Sequence, residues 1–152
     1  MLALEIKVKP AEEFKTTEFE FLDHLVTSEG LKPDTKNVEA ILNMENPTDV
    51  NRVQRLQGLV TYLAKFLPKL SVIMEPIRRL TRQETEWKWG EDQDKAMKDI
   101  KKLETAAPIL NYYDPEKELV IQCDASSTGL GTVLLQDRKP LGYASCTLTA
   151  TE

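Results

Sequence analysis

The sequence is poor in the residues that build metal centres and membrane spans. It has one histidine, His24, and two cysteines, Cys123 and Cys146, in 152 residues, which leaves almost nothing for a zinc centre of histidine and thiolate ligands. No apolar run approaches the roughly 20 residues of a membrane-spanning helix, and the acidic, lysine-containing start does not resemble a signal peptide. We therefore expect an intracellular protein, in the cytoplasm or nucleus, with no membrane association and with both thiols reduced, unpaired and buried.

Charge is distributed unevenly along the chain. Hydrophobic residues make up 41% and charged residues 30%, a balance that is typical of folded proteins and argues against disorder of the whole chain. The formal net charge of -5 disfavours a nucleic-acid partner, but residues 51–82 hold seven Lys or Arg against one acid, Glu75. This basic segment has two interpretations, contact with phosphate groups or an ordinary solvated helix face.

Apolar spacing predicts four helices in the first two thirds of the chain. Asp34 is a suitable N-cap for a helix that runs to about Met44, and Thr48 can cap the next helix, whose apolar residues recur at three- and four-residue steps as far as Leu67. A third helix, broken or entered at Pro76, and a fourth with acids in its first turn complete a small bundle. The third helix is predicted over residues 71–82 and the fourth over residues 91–107.

Alternating apolar residues predict strands at both ends of the chain. Residues 18–32 indicate a hairpin around Ser28-Glu29-Gly30, and after Pro108 three strands at 118–123, 130–136 and 141–148 indicate an antiparallel meander. The order of elements predicts an α+β fold with a domain boundary near Pro108.

Three residues carry the chemical hypotheses. Asp124 leaves an apolar strand and enters a turn of small residues, where it is either a metal ligand or a carboxylate that caps the turn. Trp87 and Trp89 either stack on nucleic-acid bases or, as the large apolar area of tryptophan favours, anchor the helical layer to its core.

Six short motifs occur in the order found in one known family. Together they resemble the Pol polyproteins of gypsy-type long-terminal-repeat retroelements, from the end of the reverse transcriptase palm into the ribonuclease H domain. The resemblance covers nearly the whole chain. The motifs are Phe21-Leu22-Asp23-His24 with Ser28-Glu29-Gly30-Leu31; Arg55-Leu56-Gln57-Gly58-Leu59 with Tyr62-Leu63-Ala64-Lys65-Phe66; Pro76-Ile77 with Trp87-Lys88-Trp89; Ala107-Pro108-Ile109-Leu110 with Tyr113-Asp114-Pro115; Asp124-Ala125-Ser126 with Gly129-Leu130-Gly131; and Tyr143-Ala144-Ser145.

The resemblance implies three parts. Residues 1–33 correspond to the end of the palm with a hairpin that holds the primer end, residues 34–107 to the thumb and connection helices, and residues 108–152 to a partial ribonuclease H-like domain. In the family's fold, the strand that bears Asp124 is central. We therefore expect that strand to have an open edge here, with exposed apolar residues, and expect residues 108–152 to be marginal or prone to aggregation in isolation.

The resemblance also implies the sites. Asp124 corresponds to the first of four acidic ligands for two Mg²⁺ ions, and the other three are expected beyond Glu152. One carboxylate cannot hold that pair, so we expect no bound Mg²⁺ and no hybrid cleavage by this chain alone. The sequence Tyr-x-Asp-Asp does not occur, so DNA synthesis by this chain is not expected either. The implied contacts with nucleic acid are Leu22, His24, Arg52, Arg55, Lys65, Lys69, Arg78 and Arg79.

Departures from the family pattern stand at Asp23, Gln57 and Cys146, where the family usually has glycine, a large apolar residue and arginine. A carboxylate at position 23 would repel primer phosphates by roughly 1 kcal/mol. The sequence is therefore compatible with two functions. The first is a polyprotein fragment that binds template-primer duplex or RNA-DNA hybrid weakly, with the rest of the polyprotein as partner. The alternative is a non-enzymatic remnant or interaction module without a nucleic-acid role.

Overall fold

The computed structural model describes residues 17–22 and 24–148, and within these ranges it has two small antiparallel sheets and four α-helices. The α+β prediction is confirmed. The prediction about Asp23 falls outside the described residues. No helix in these ranges has both the length and the apolar composition that crossing a membrane requires. The elements in chain order are β1 (Glu18–Phe21), β2 (His24–Thr27), β3 (Gly30–Pro33), α1 (Thr35–Leu42), α2 (Val50–Leu63), α3 (Leu70–Arg78), α4 (Glu91–Thr105), β4 (Val120–Ser126), β5 (Gly129–Gln136) and β6 (Lys139–Thr147).

The first sheet has one strand more than the predicted hairpin. Its strands lie in the order β1-β2-β3, with one turn that includes Leu22 and another at Ser28-Glu29. Thr27 fixes the second turn, because its hydroxyl donates to the Gly30 carbonyl at 2.8 Å and accepts from the Glu29 amide at 3.2 Å. Strand β3 also exchanges two backbone hydrogen bonds between Leu31 and Leu110, which attach this sheet to the segment after α4.

Side-chain caps fix the starts of the first two helices. The Asp34 carboxylate accepts from the Lys36 amide at 2.9 Å, which confirms it as the N-cap of α1. The expected cap at Thr48 is wrong by one residue, because Asp49 accepts from the Arg52 amide at 2.8 Å. An aspartate carboxylate satisfies the amide of the third helical residue and also carries the negative charge that a helix N-terminus favours.

Helix α3 differs from its prediction at both ends. It begins at Leu70, after Lys69 adopts a left-handed conformation with φ 57°, and it runs through Pro76 instead of breaking there. A 3-10 turn, Arg79–Thr81, follows it, and another 3-10 turn, Ala64–Phe66, follows α2. Burial of Met74 and Ile77 on either side of Pro76 offsets the cost of the missing proline amide hydrogen.

The hydrophobic core lies among the four helices. Its members come from every helix and from the segment that follows α4, and they are almost completely buried. Leu110 joins this core, so the bridge to β3 is supported by side-chain packing as well as by hydrogen bonds. The largest buried side chains are Phe66, Ile41, Leu56, Leu63, Leu67, Ile77, Ile100 and Leu110.

The second sheet is the predicted meander, in the order β4-β5-β6. Strand β6 packs against α3 and the Ala64–Phe66 turn, whereas β4 lies at the outer edge and every one of its residues is exposed. Among the described residues no strand pairs with the outer edge of β4, and the expected uncovered apolar row is present, with Ile121 62% exposed. The expectation of buried cysteines is wrong. Cys123 and Cys146 are both free and exposed, because neither strand face that carries them is covered by a helix among the described residues.

Candidate nucleic-acid interface and the Asp124 site

Asp124 lies in β4, two residues before the strand ends, opposite Gly131 of β5. Its carboxylate lies 2.7 Å from the ammonium nitrogen of Lys69 and is 65% exposed. The hydrogen bond from Lys69 and the charge of that ammonium group hold the pKa of Asp124 below its usual value. The sequence placed both residues in candidate sites but did not predict that they pair, because 55 positions separate them.

The turn after β4 is capped by a different residue. Ser126 accepts from the Thr128 amide at 3.3 Å and donates to the Gly129 carbonyl at 3.2 Å. The turn-capping interpretation of Asp124 is therefore wrong, since Ser126 performs that role. Asp124 instead joins the second sheet to the start of α3 through Lys69.

The carboxylates of the described residues do not fit a pair of Mg²⁺ ions. Within residues 17–22 and 24–148 no three His, Cys, Asp or Glu side chains come together as a metal site. The cleft at Asp124 has a volume of about 190 Å³, and its polar side chains other than Asp124 are Lys69, Gln122, Thr132 and Tyr143. Two hard cations need several carboxylate oxygens. The cleft supplies only one carboxylate, that of Asp124. The Lys69 ammonium group already pairs with it and would compete with a metal ion.

Two exposed arginines lie one turn apart on α2. Arg52 and Arg55 are both exposed, and the Arg52 guanidinium is 3.8 Å from the Asp49 carboxylate. No described carboxylate lies within ion-pair distance of Arg55. Residues three apart on a helix share a face, so α2 presents two guanidinium groups on the same side. This pair is defined here as the α2 arginines.

Lys65 is not part of that face. It lies in the 3-10 turn after α2, is half-buried, and its ammonium nitrogen is 5.5 Å from the centroid of the Phe66 ring. Burial lowers the pKa of Lys65. The structure brings Lys65 next to His24 and β6, around a shallow cavity of about 560 Å³.

The two predicted contacts in the first sheet lie at its tip. Leu22 is 73% exposed in the β1-β2 turn, where φ is 48°. The Nδ1 atom of His24 is hydrogen bonded to the Leu22 carbonyl oxygen, and the His24 ring lies 5.7 Å from the Phe66 ring. His24 therefore holds the turn against the helical layer.

Arg78 and Arg79 belong to a charge cluster that the sequence analysis did not identify. Together with Arg82 they surround the carboxylate of Glu75, whose side chain is only 15% exposed. Burial alone would raise the pKa of Glu75, but the hydrogen bonds and charges of the three arginines bring it below its usual value. Residues 75, 78, 79 and 82 are spaced so that they share one helical face, and this spacing could have predicted the cluster from sequence.

Trp87 and Trp89 anchor the helical layer, which was the favoured of their two interpretations. Both are half-buried and pack against the core, with their rings 6.4 Å apart. The Trp89 indole N–H donates to the Asp94 carboxylate at 2.7 Å. Partial burial and this hydrogen bond leave little ring surface for stacking on bases.

Comparison with known proteins gives relatives over almost the whole chain. Two transposon polyproteins of the fission yeast Schizosaccharomyces pombe, Tf2-3 and Tf2-4, are each 30% identical to it over 142 residues, which is 90% of this chain. The family described as "RNase H-like domain found in reverse transcriptase" matches residues 89–152.

The chain is similar to one stretch of the Pol polyproteins of long-terminal-repeat retroelements, and it is called the Pol segment below. This Pol segment spans 11% of the length of the Tf2 polyproteins. Solved structures give the same relationship. The foamy viral protease-reverse transcriptase in complex with double-stranded DNA matches 90% of the segment, and the segment covers 30% of that protein. The match has a TM-score of 0.79 and 26% identity. The structure of the same viral enzyme in complex with RNA/DNA hybrid gives a TM-score of 0.79 as well.

Proposed function

We propose that this Pol segment supplies part of the template-primer binding surface of a reverse transcriptase and ribonuclease H polyprotein. In this assignment residues 1–33 are the end of the palm, residues 34–107 the thumb and connection, and residues 108–152 the start of the ribonuclease H domain. The observation that carries the proposal is the exposed pair of α2 arginines, on a fold that matches a viral enzyme solved with double-stranded DNA and with RNA/DNA hybrid.

The α2 arginines suit a phosphate backbone. A guanidinium group donates two parallel hydrogen bonds to phosphate oxygens, and its charge attracts the backbone whatever the sequence of the bases. The α2 arginines contact no described acid more closely than the 3.8 Å between Arg52 and Asp49. Binding through them is therefore weak, dependent on salt and indifferent to base sequence.

The cluster of Glu75 with Arg78, Arg79 and Arg82, called the Glu75 cluster, provides a second basic surface for the same partner. Three guanidinium groups around one carboxylate leave a local excess of two positive charges. Glu75 fixes the positions of Arg78, Arg79 and Arg82, so little side-chain entropy remains to be lost when a phosphate binds.

The proposed role is binding without chemistry. Lys69 neutralises Asp124, and the described carboxylates do not form a site for two Mg²⁺ ions. The remainder of the polyprotein would supply the other acidic ligands and is the second proposed partner. Any Mg²⁺ chemistry on the hybrid would therefore need that remainder.

Fluorescence anisotropy with a labelled RNA-DNA hybrid tests the proposal. The variant Arg52→Glu with Arg55→Glu reverses the charge of the α2 arginines and is expected to weaken binding at low salt about tenfold or more. The matched control is Lys95→Glu with Lys98→Glu, which makes the same change of net charge at two exposed positions of α4. Its affinity should fall about twofold or less.

Two results would contradict the proposal. Equal losses in both double variants would show that only net charge matters. No binding by the wild-type chain at low salt would instead favour the alternative function, an interaction module without a nucleic-acid role.

A further inference from the structure

Glu104, in the last turn of α4, is a buried acid that neither the proposed function nor the core explains. It is 4% exposed, and neither of its carboxylate oxygens has a hydrogen-bond partner among the described residues. A buried carboxylate without a partner costs several times more free energy than an ordinary unmade hydrogen bond. Such a group is retained at low cost only if something else satisfies it.

Glu104 is one of the residues that line a cavity of about 450 Å³ between β3, α1 and the end of α4, and its two carboxylate oxygens lie buried behind the cavity wall. Pro33, Val38 and Ile109 provide apolar walls, and a second acid, the exposed Glu39, lies on the same cavity. The size is that of a site for a small molecule or a single side chain. Apolar walls around a buried acid describe a ligand with an apolar stem and a positively charged end.

The neighbouring lysines are engaged elsewhere. Lys32 also lines the cavity, but its ammonium nitrogen lies 3.9 Å from the Glu29 carboxylate. Lys101, the cation that acts electrostatically on Glu104, donates to the Met44 carbonyl oxygen at 2.7 Å. Neither ammonium group forms a described hydrogen bond with Glu104.

We propose that this cavity, the Glu104 pocket, binds the arginine or lysine side chain of a partner protein segment. The cationic end would pair with Glu104 when the carboxylate rotates toward the cavity, with Glu39 beside it, and the aliphatic stem would pack on Pro33, Val38 and Ile109. A guanidinium group fits best, because its fork donates to both oxygens of one carboxylate. Two carboxylates are too few for a divalent cation. The acids of the pocket repel a phosphate backbone, so the site is distinct from the proposed nucleic-acid surface.

Titration of the isotopically labelled chain with n-butylguanidinium, followed by NMR, tests the proposal. The titration is run at about pH 8.5, where the Glu104 carboxyl is largely ionised. Saturable shifts are expected at the amides of Val38, Glu104 and Ile109. The neutral compound n-butylurea has the same shape, and its affinity should be lower by about tenfold or more. Shifts of equal size and midpoint with both compounds, or none with either, would overturn the proposal.

The variant Glu104→Gln keeps the shape of the pocket and removes its charge. It should lose n-butylguanidinium affinity by about tenfold or more while its helical circular dichroism is unchanged. Unchanged affinity in this variant would overturn the proposal. Lys32→Met provides the second check and should bind the probe at least as well as the wild type. Binding by Lys32→Met alone would show that Lys32 fills the pocket, and the proposal would then be wrong.

Discussion

Among single residues, Glu104 has the largest expected effect on how stability depends on pH. Burial raises the pKa of its carboxyl from an ordinary 4.5 to about 8, and the charge of Lys101 only partly opposes this. Between these two values the folded chain keeps a proton that the unfolded chain releases. The free energy of unfolding therefore falls as pH rises from about 4.5 to about 8, and this effect is complete above the folded pKa.

Comparison of Glu104→Gln with the wild type isolates this effect. Urea denaturation at pH 5, 6.5 and 8 should show the variant gaining stability relative to the wild type as pH rises, by roughly 2 kcal/mol over the series. The other described acids with shifted pKa values, Glu75, Asp124 and Asp137, all have lowered pKa values and are present in both proteins. Parallel stability profiles for the two proteins would contradict the assignment.

Some single residues were predictable from sequence and others were not. Asp34 was identified as a cap because capping depends only on its immediate neighbours. The pair of Lys69 with Asp124 was not, because it depends on how α3 and β4 pack. Glu104 follows Met97 and Ile100 on the buried face of α4, so its burial could have been inferred from helical spacing.

At the scale of elements, two glycines have opposite roles. Gly30 has φ 146°, and a Cβ atom placed on it would lie 2.4 Å from the Leu110 carbonyl oxygen. Gly58 lies within α2, where a Cβ atom would meet nothing within 4 Å. The first glycine permits the close approach of β3 to Leu110, and the second only weakens a helix.

The two alanine substitutions are therefore expected to act in opposite directions. Gly30→Ala should destabilise the chain by about 2 kcal/mol or more, through strain and loss of the Leu31-Leu110 bridge. Gly58→Ala should stabilise it by roughly 0.5 to 1 kcal/mol. Chemical denaturation measures both. Destabilisation by Gly58→Ala would contradict the role assigned to Gly58, and unchanged stability in Gly30→Ala would contradict the role assigned to Gly30.

The errors in element prediction have local causes. The β1-β2 turn was missed because Leu22-Asp23 lacks the glycine or asparagine that marks tight turns, although Leu22 adopts a positive φ. The meander of β4, β5 and β6 was predicted because its residues alternate and its turns contain small or polar residues. Pro76 was expected to break the third helix or to stand at its start, but packing of the flanking core residues keeps α3 intact through Pro76.

At the scale of the whole molecule, the second sheet depends on the helices. The Ser71 amide donates to the Ser145 hydroxyl at 3.0 Å, and the Ser71 hydroxyl donates to the Ser145 carbonyl oxygen at 2.7 Å. Arg78 also donates to Thr147. These bonds join α3 to β6, and outside its own sheet β6 packs mainly against α3 and the Ala64–Phe66 turn. The order of elements could be predicted from sequence, but this docking could not.

Residues 108–152 are therefore expected not to fold stably when produced alone. Removal of α3 would expose the covered face of the sheet in addition to the open β4 edge. Size-exclusion chromatography and thermal denaturation should show aggregation or a melt without cooperativity, whereas the 152-residue chain melts cooperatively. A monodisperse, cooperatively melting product of residues 108–152 would contradict this dependence.

The central claim is that this Pol segment holds a nucleic-acid backbone through phosphate contacts. The most direct measurement is the affinity of the 152-residue chain for an RNA-DNA hybrid across a series of salt concentrations. Each phosphate contact contributes a slope of about -0.9 to a plot of log affinity against log salt, so the α2 arginines with the Glu75 cluster predict a slope of roughly -2 to -4. A slope near zero, or no binding at low salt, would contradict the claim.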